Sequence, residues 1–346
     1  MSLSIGLLNV VTLFFYRFWG RTRVRQYLWA RSSLFGDRFA YTGTGKEMFI
    51  GFLIVFFLII LPIFAISAYV TFKWPNDMVV HAIFVYSLAA VTYFLFYMAS
   101  YRALRYRLSR TNWRGIRGSQ AGSSLAYALK AMGWLVLTGL SMGLTYPIMR
   151  VSLTGMKFNN AWFGDRRFSF DSAGRSAQLY GPFMRAWAGF LFKPLIIVIP
   201  VIFLIAFIFG LGKRNGQVVE PAVDPNIMGI LVVIMWLLVA LGWLRTYARY
   251  KAREAAIMAP WVGFGALRFR FNADHKTVFR LVFGNILLTF LTLGFARPIA
   301  QKRTAKFIAD HLRIHGEPDL ESLKQNPDKA PGMGEGLADA FDAGSI

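Results

Sequence analysis

The stretch MFIGFLIVFFLIILPIFAISAYVTF, from Met48 to Phe72, contains no charged side chain over its 25 residues. An α-helix rises about 1.5 Å per residue, so this stretch is longer than the roughly 30 Å hydrocarbon core of a bilayer. A second uncharged stretch, from Met78 to Tyr101, follows after only five residues. Together the two stretches predict a helical hairpin that crosses a membrane twice.

Five further intervals are uncharged and rich in apolar residues: Met1 to Tyr16, Ala131 to Met149, Pro194 to Gly212, Pro225 to Leu244 and Leu281 to Ala296. The Pro194 and Pro225 intervals are long enough to form a second transmembrane hairpin. The Met1 and Leu281 intervals contain 16 residues each. As helices they would cover about 24 Å, which is short of a full span.

The composition agrees with an integral membrane protein, since 56% of the residues are hydrophobic and 16% are aromatic. The net charge of +22 would suggest nucleic acid in a soluble protein. Here the basic residues lie beside aromatic residues at the ends of apolar runs, which is typical of contacts with anionic headgroups, and no nucleic acid is expected. The absence of cysteine excludes disulfides and thiolate chemistry. The N-terminus is not expected to be a removable signal peptide.

Charge distribution predicts the topology. The connectors around Asn76 and Asn215 are poor in basic residues, whereas Ser119, Ser172 and Ala273 lie in strongly basic segments. If every apolar interval from Met48 onward crossed the membrane, two basic segments would face outward, against the positive-inside rule. The conflict disappears if the Ala131 and Leu281 intervals enter the bilayer and return, with both termini in the cytoplasm. Six ordinary spans that break the rule remain an alternative.

A short motif occurs three times: an arginine, a phenylalanine, any residue and an aromatic residue, with a second cation eight positions after the arginine. The copies are Arg38-Phe39-Ala40-Tyr41 with Lys46, Arg167-Phe168-Ser169-Phe170 with Arg175, and Arg268-Phe269-Arg270-Phe271 with Lys276. Alternating aromatic residues place both rings on one face of a short strand. Two copies begin with Gly36-Asp37 and Gly164-Asp165, and a degenerate fourth copy is placed at Trp113 to Gln120.

The short apolar intervals also resemble one another. They contain Thr12-Leu13-Phe14-Phe15, Ser141-Met142-Gly143-Leu144 and Thr292-Leu293-Gly294-Phe295, and Pro147 and Pro298 follow the two glycines by four residues. The pattern predicts an internal duplication within one membrane unit, residues 1–316, divided at about 130 and 280 with an extra half-unit at 281–316. Residues 317–346 are acidic and are predicted to form a disordered tail.

The run Thr292 to Pro298, the run Phe35 to Tyr41 and its copies resemble the YjgN-like family of bacterial inner-membrane proteins, a family of unknown function. The resemblance covers roughly Leu7 to Arg313. It implies a multi-pass protein of the bacterial inner membrane and carries no catalytic residue to this chain. The first copy departs from the pattern at Phe14 and Phe18, where the third copy has Gly294 and Pro298.

The fold class predicted is therefore an all-α multi-pass membrane protein with two long transmembrane hairpins. Three short segments are half-inserted, and small strand-like connectors lie at the cytoplasmic interface. Candidate contacts to an anionic headgroup or ligand are Arg38, Lys46, Arg167, Arg175, Arg268 and Lys276, with simple interfacial anchoring as the alternative. Residues assigned to the structural motif are Gly36, Asp37, Phe39, Gly164, Asp165, Phe168, Phe269, Gly143, Pro147, Gly294 and Pro298.

Function is less constrained than location. Duplication and short segments interrupted by Gly or Pro favour a transporter or channel-like protein for an unidentified solute. The alternative is a non-transporting protein that binds anionic lipid or organises partner proteins, which the sequence does not identify. No enzyme is expected, because no nucleophile and base or paired carboxylates can be assembled. No cofactor is expected, and His311 and His315 alone do not make a metal site.

Overall fold

The protein is described by a computed structural model over residues 2–13, 15–211, 213–214, 217–218, 224–317 and 323–325. Most of the predicted acidic tail lies outside the described residues. Helices account for most of the described chain. They are α1 (Ser2–Val11), α2 (Arg17–Trp29), α3 (Gly45–Val55), α4 (Leu61–Lys73), α5 (Met78–Arg110), α6 (Ser124–Leu140), α7 (Tyr146–Phe158), α8 (Tyr180–Leu211), α9 (Pro225–Met258), α10 (His275–Leu291) and α11 (Arg297–His311).

Four helical stretches are long and apolar enough to cross a membrane: Gly45–Lys73, Met78–Arg110, Arg175–Phe203 and Gly229–Trp261. The first consists of α3 and α4, joined through a π-helical segment, Phe56–Ile60. Large apolar side chains are exposed along all four, which suits helices surrounded by lipid. The two long hairpins predicted from the sequence are therefore present as two pairs of apolar helices.

Local residue chemistry explains where the first hairpin begins and turns. The Thr44 hydroxyl accepts a hydrogen bond from the Glu47 N–H, and the Glu47 carboxylate accepts one from the Thr44 N–H, which forms a capping box for α3. At the start of α5, the Asp77 carboxylate accepts hydrogen bonds from the N–H groups of Val79 and Val80, both at 3.0 Å. These contacts satisfy N–H groups that have no partner inside the helix.

The short apolar segments are helices that end in tight turns. Leu13, Met142 and Leu293 have φ values of 48°, 50° and 49°, the left-handed conformation that commonly follows a helix. The Gly143 N–H donates to the Thr138 carbonyl oxygen and the Gly294 N–H to the Thr289 carbonyl oxygen, both at 2.7 Å. After each turn, a new helix begins: α2, α7 or α11.

Short strands form the rest of the described structure. They are β1 (Ser33–Leu34), β2 (Asp37–Tyr41), β3 (Thr111–Trp113), β4 (Ile116–Gln120), β5 (Ala161–Phe163), β6 (Arg166–Phe170), β7 (Lys213–Arg214), β8 (Gln217–Val218), β9 (Val262–Phe264), β10 (Leu267–Phe271) and β11 (Leu312–His315). Nine of them make one sheet in the order β1-β2-β3-β4-β5-β6-β9-β10-β11, and β7 pairs with β8. The pairings from β1 through β10 are antiparallel.

The all-α fold class is thus wrong in one respect, because the connectors are not isolated strands. Each is a hairpin with a two-residue turn, and neighbouring hairpins pair edge to edge. The turns Phe35-Gly36 and Arg114-Gly115 have positive φ at both residues, as in type I′ turns, whose twist suits antiparallel strands. The degenerate copy at Trp113 to Gln120 corresponds to the β3–β4 hairpin.

The described chain forms two compact units. One comprises residues 1–173, 260–270 and 288–346 and contains the sheet, and the other comprises 174–259 and 271–287 and contains α8, α9 and most of α10. The internal duplication inferred from the sequence motifs stays a prediction.

Candidate functional site

The three repeated arginines lie on one face of the nine-stranded sheet. Residues alternate between the faces of a strand, and antiparallel partners share a face. Arg38 is exposed on β2, Arg167 on β6 and Arg268 on β10. The register places Arg167 opposite Trp162, and Arg268 opposite Gly263. The structure therefore brings together three of the six candidate contacts, although they are separated by more than 200 residues in sequence.

Three further arginines extend this surface, which we call the arginine face. They are Arg117, Arg270 and Arg313, and together with Arg38, Arg167 and Arg268 they give the face six guanidinium groups. The other described strand residues on the face are neutral or histidine, such as Asn112, Ser119 and Ser169. No carboxylate lies on this face within the described strands.

Two of the arginines are held by backbone oxygens. The Arg167 Nε donates to the carbonyl oxygen of Asn159. One terminal nitrogen of Arg268 donates to the carbonyl oxygens of Gly265 at 2.8 Å and Leu267 at 3.0 Å. Neutral carbonyl groups hold the guanidinium groups in place without cancelling their charge. The face keeps a positive potential that an external anion can neutralise.

The opposite face carries the aromatic rings, as the alternation predicted. Phe39 lies 6.2 Å from Trp113 between ring centroids, and Phe168 lies 4.7 Å from Phe264. Phe269 is half-buried beside Leu267 in the same apolar cluster. A cavity of about 370 Å³ lies at the β2 end of this face, where Phe39 and Trp29 meet the arginines of α2 and the end of α5.

The second cation of each motif does not join the arginine face. Lys46 lies in the first turn of α3 and Lys276 in the first turn of α10, and both are exposed. Arg175 begins a short 3₁₀ turn before α8. All three positions lie at the start of a helix, but none of them lies on a strand of the nine-stranded sheet.

The two motif aspartates contact residues that are distant in sequence. Asp37 forms an ion pair with Arg114 of the neighbouring hairpin, with 2.5 Å between Oδ2 and Nε. The Asp165 N–H donates to the Lys324 carbonyl oxygen at 2.9 Å, and its carboxylate accepts a hydrogen bond from the Lys324 N–H at 3.3 Å. Gly36 and Gly164 lie in the turns, at φ values of 89° and 60°.

Gly143 and Gly294 occupy equivalent places, one residue after the left-handed position, at φ values of 91° and 88°. Pro147 and Pro298 lie in the first turns of α7 and α11, where proline needs no N–H partner. In both turns a hydroxyl binds the residue just before the new helix, since Ser141 accepts from the Thr145 N–H and Thr292 from the Ala296 N–H.

Two partly buried charged groups were missed from the sequence. Glu47, which lies one residue before the first apolar stretch, accepts from Arg110 at 2.6 Å and from the Tyr106 hydroxyl at 2.5 Å. Lys157 lies 5.3 Å from the Tyr127 ring centroid. Its burial, with Arg150 and Arg107 nearby, lowers the pKa of Lys157 to about 8. Within the described residues, no group of three or more His, Asp or Glu side chains is arranged to hold a metal.

Four apolar helices long enough to span a bilayer, together with a nine-stranded sheet, define the class as a membrane protein that also contains a sheet. The chain belongs to the family described as bacterial protein of unknown function (DUF898), whose model matches residues 5–340. This agrees with the resemblance inferred from the Thr292 to Pro298 run. No curated protein matches the chain. No solved structure matches it either.

Proposed function

We propose that this protein is a multi-pass protein of the bacterial inner membrane that binds anionic phospholipid headgroups through its arginine face. The observation that carries the proposal is the set of six arginines on one face of the sheet, with no carboxylate among the described strand residues of that face. Arginine offers a planar set of donors that matches phosphate oxygens. Neither enzymatic activity nor solute transport is needed to account for this arrangement.

The order of the strands supports a topology in which the whole nine-stranded sheet lies on the cytoplasmic side. Strands β4 and β5 are hydrogen-bonded neighbours, and the chain between them is the α6–α7 pair. Because its two ends meet in one sheet, this segment starts and finishes on the same side of the membrane. Helix α6 has 17 residues, or about 25 Å, which is short of a full span. We infer that α6 enters the bilayer and that the chain returns through α7 without crossing.

The tips of the three short helical turns support partial insertion. Leu13, Met142 and Leu293 occupy the left-handed position of their turns, and their side chains are 79%, 83% and 87% exposed. Water is an unfavourable surrounding for such side chains, whereas the acyl region of a bilayer is favourable. We infer that the three tips enter the same leaflet and hold the sheet near the headgroups.

Solute transport is a second candidate, and the same helical turns favour it. Short helices that enter a bilayer and return are frequent in transport folds. A flux of a test solute in proteoliposomes that is lost on substitution of Gly143 and Gly294 would support transport. An unchanged ion and solute permeability, combined with lipid binding by the arginine face, would support the first proposal.

The test of headgroup binding is a triple substitution, Arg38→Gln with Arg167→Gln and Arg268→Gln, in the full-length protein. The control removes the same number of charges from an exposed part of α11: Lys302→Gln, Arg303→Gln and Lys306→Gln. We expect the arginine-face variant to retain less phosphatidylglycerol during purification than the control, measured by native mass spectrometry. Equal retention in both variants would reduce the arginine face to general positive-inside charge.

A further inference from the structure

A second basic site lies in the unit that contains α8 and α9. A cavity of about 310 Å³ opens between these two helices, a volume typical of small-ligand pockets. Four cationic side chains line it, Arg185 and Lys193 from α8 and Arg249 and Arg253 from α9, and His275 and Thr246 complete the polar lining. None of the four cations belongs to the repeated sequence motif.

Helical spacing explains why these side chains converge. On α9, Thr246, Arg249 and Arg253 are separated by three and four residues, so they share one face. On α8, Arg185 and Lys193 are eight residues apart, which is slightly more than two turns. The two faces oppose each other along the helix pair, so cations from both helices point into the same cavity.

Close helix packing forms the inner end of the cavity. A Cβ atom at Gly189 would lie 3.2 Å from the Thr246 Cγ2, so this glycine allows α8 to approach α9. The Lys193 ammonium donates a hydrogen bond to the Thr246 hydroxyl, which in turn donates to the Gly242 carbonyl oxygen at 2.9 Å. Lys193 is thereby fixed at the inner end of the cavity by neutral groups, with further N–H donors left over.

Two carboxylates lie close to the cavity, and each is paired, one of them with the lining residue His275. Glu254 on α9 accepts from Lys251 at 2.5 Å and from the Tyr250 hydroxyl at 3.3 Å. Asp274 pairs with His275 at 2.8 Å. Within the described part of the chain, Arg185, Arg249 and Arg253 form no ion pair, and Arg249 repels Lys193. Four cations around one cavity repel each other, and a bound anion would relieve that repulsion.

The cavity lies where the helix pair changes from basic to apolar. Beyond Lys193, α8 exposes Phe192 at 56% and Ile196 at 70%, and α9 exposes Leu238 at 53%. All of these residues lie in the candidate spans Arg175–Phe203 and Gly229–Trp261, with Arg185 and Arg253 toward the basic ends of the helices. A ligand with a phosphate group and an attached acyl portion would match this change in surface chemistry.

We propose that the α8–α9 cavity is a specific binding site for a phosphate group, either of an anionic phospholipid or of a soluble phosphate compound. Arg249 and Arg253, one helical turn apart, supply the planar donors, Lys193 binds from the inner end and Arg185 closes the opposite side. This site does not depend on the arginine face, since the two share no residue.

The experiment compares wild-type protein with the double variant Arg249→Gln and Arg253→Gln. Its control, Lys276→Gln with Arg280→Gln, removes two exposed charges of the same unit that do not line the cavity. Three conditions are used: phosphatidylcholine nanodiscs, the same nanodiscs with phosphatidylglycerol, and phosphatidylcholine nanodiscs with inorganic phosphate. The measurement is ligand-dependent thermal stabilisation, which reports affinity when the ligand binds only folded protein.

We expect the double variant to bind at least about tenfold more weakly per arginine removed, while the control keeps wild-type affinity. Stabilisation by phosphatidylglycerol alone identifies a lipid, and stabilisation by inorganic phosphate identifies a soluble ligand. Equal affinities of double variant and control would overturn the site. If the double variant does not fold, the variant Arg249→Lys with Arg253→Lys keeps the charge and tests the planar donors. Wild-type affinity in this second variant would likewise overturn the proposed site. Neither result depends on Arg38, Arg167 or Arg268.

Discussion

At the scale of single residues, Glu47 has the most demanding set of contacts. Its carboxylate caps α3 and also accepts from Arg110 and Tyr106 on α5, so it links both helices of the first hairpin. We expect Glu47→Gln to lower the free energy of unfolding by about 1–3 kcal/mol, because Arg110 loses its charged partner. Thermal unfolding in detergent measures the loss. Thr44→Ala removes only the cap and should cost about 1 kcal/mol, so equal losses would argue that the ion pair contributes nothing.

The residue Lys157 predicts a pH dependence. Its pKa of about 8 lies below the ordinary value of 10.5, so the folded protein disfavours the charged form. Folding stability should therefore rise with pH between these two values, by about 3 kcal/mol. Lys157→Met should stabilise the protein near neutral pH and flatten the rise, measured as thermal unfolding across this range. Lys302→Met, at an exposed position, is the control, and an unchanged slope in Lys157→Met would contradict the assignment.

At the scale of elements, the helical turns depend on backbone conformation. Gly143 has a φ of 91°, which strains any residue with a Cβ atom, whereas Gly139 is helical and a Cβ there meets nothing within 4 Å. Gly143→Ala should cost about 1–3 kcal/mol. Gly139→Ala should be neutral or stabilising by up to about 1 kcal/mol. The free energy of unfolding of both variants is measured in detergent. Equal losses in the two variants would contradict the turn assignment.

A second prediction at this scale concerns the segment Leu323–Gln325, which lies along the β5–β6 hairpin. Leu323 is 8% exposed in the apolar cluster with Phe264 and Leu267. Leu323→Ala should release the segment and speed hydrogen exchange of the Asp165 amide, which donates to the Lys324 carbonyl oxygen. Lys324→Ala is the matched control, because Lys324 contacts Asp165 through its backbone. Slow exchange in Leu323→Ala would show that the segment does not depend on this side chain.

The elements also show what the sequence could predict. Charge-free length identified the long helices, and the alternation in Arg38-Phe39-Ala40-Tyr41 predicted one polar and one aromatic face, because both signals are local. The pairing of Phe39 with Trp113 is not local, since 74 residues separate the partners. Strands of two to five residues carry too little pattern to specify their neighbours. The arginine face and the α8–α9 cavity both depend on such distant contacts. The sequence therefore indicated only some of the residues of the arginine face, and it did not indicate the cavity.

At the scale of the whole molecule, the sheet constrains the membrane topology. Three apolar segments begin and end next to strands of the same sheet: α3 to α5 between β2 and β3, α6 and α7 between β4 and β5, and α8 and α9 between β6 and β9. Chain segments that return to one sheet cross the membrane an even number of times or not at all. Six conventional single spans would place neighbouring strands on opposite sides, so the strand pairing favours the half-inserted topology proposed above.

The last prediction tests that topology with single cysteines, for which the cysteine-free chain is a clean background. Ser119 lies in β4, while Ser172 and Ala273 directly follow β6 and β10, so all three should face the cytoplasm. Asn76 lies in the turn between α4 and α5 and should face the periplasm. In intact cells, a membrane-impermeant maleimide should therefore label Asn76→Cys alone, and permeabilised cells should show labelling at all four positions. Labelling of Ser172→Cys or Ala273→Cys in intact cells would favour conventional spans, and it would also contradict the half-inserted turns at Met142 and Leu293. Asn215, the second position expected in the periplasm, lies outside the described residues.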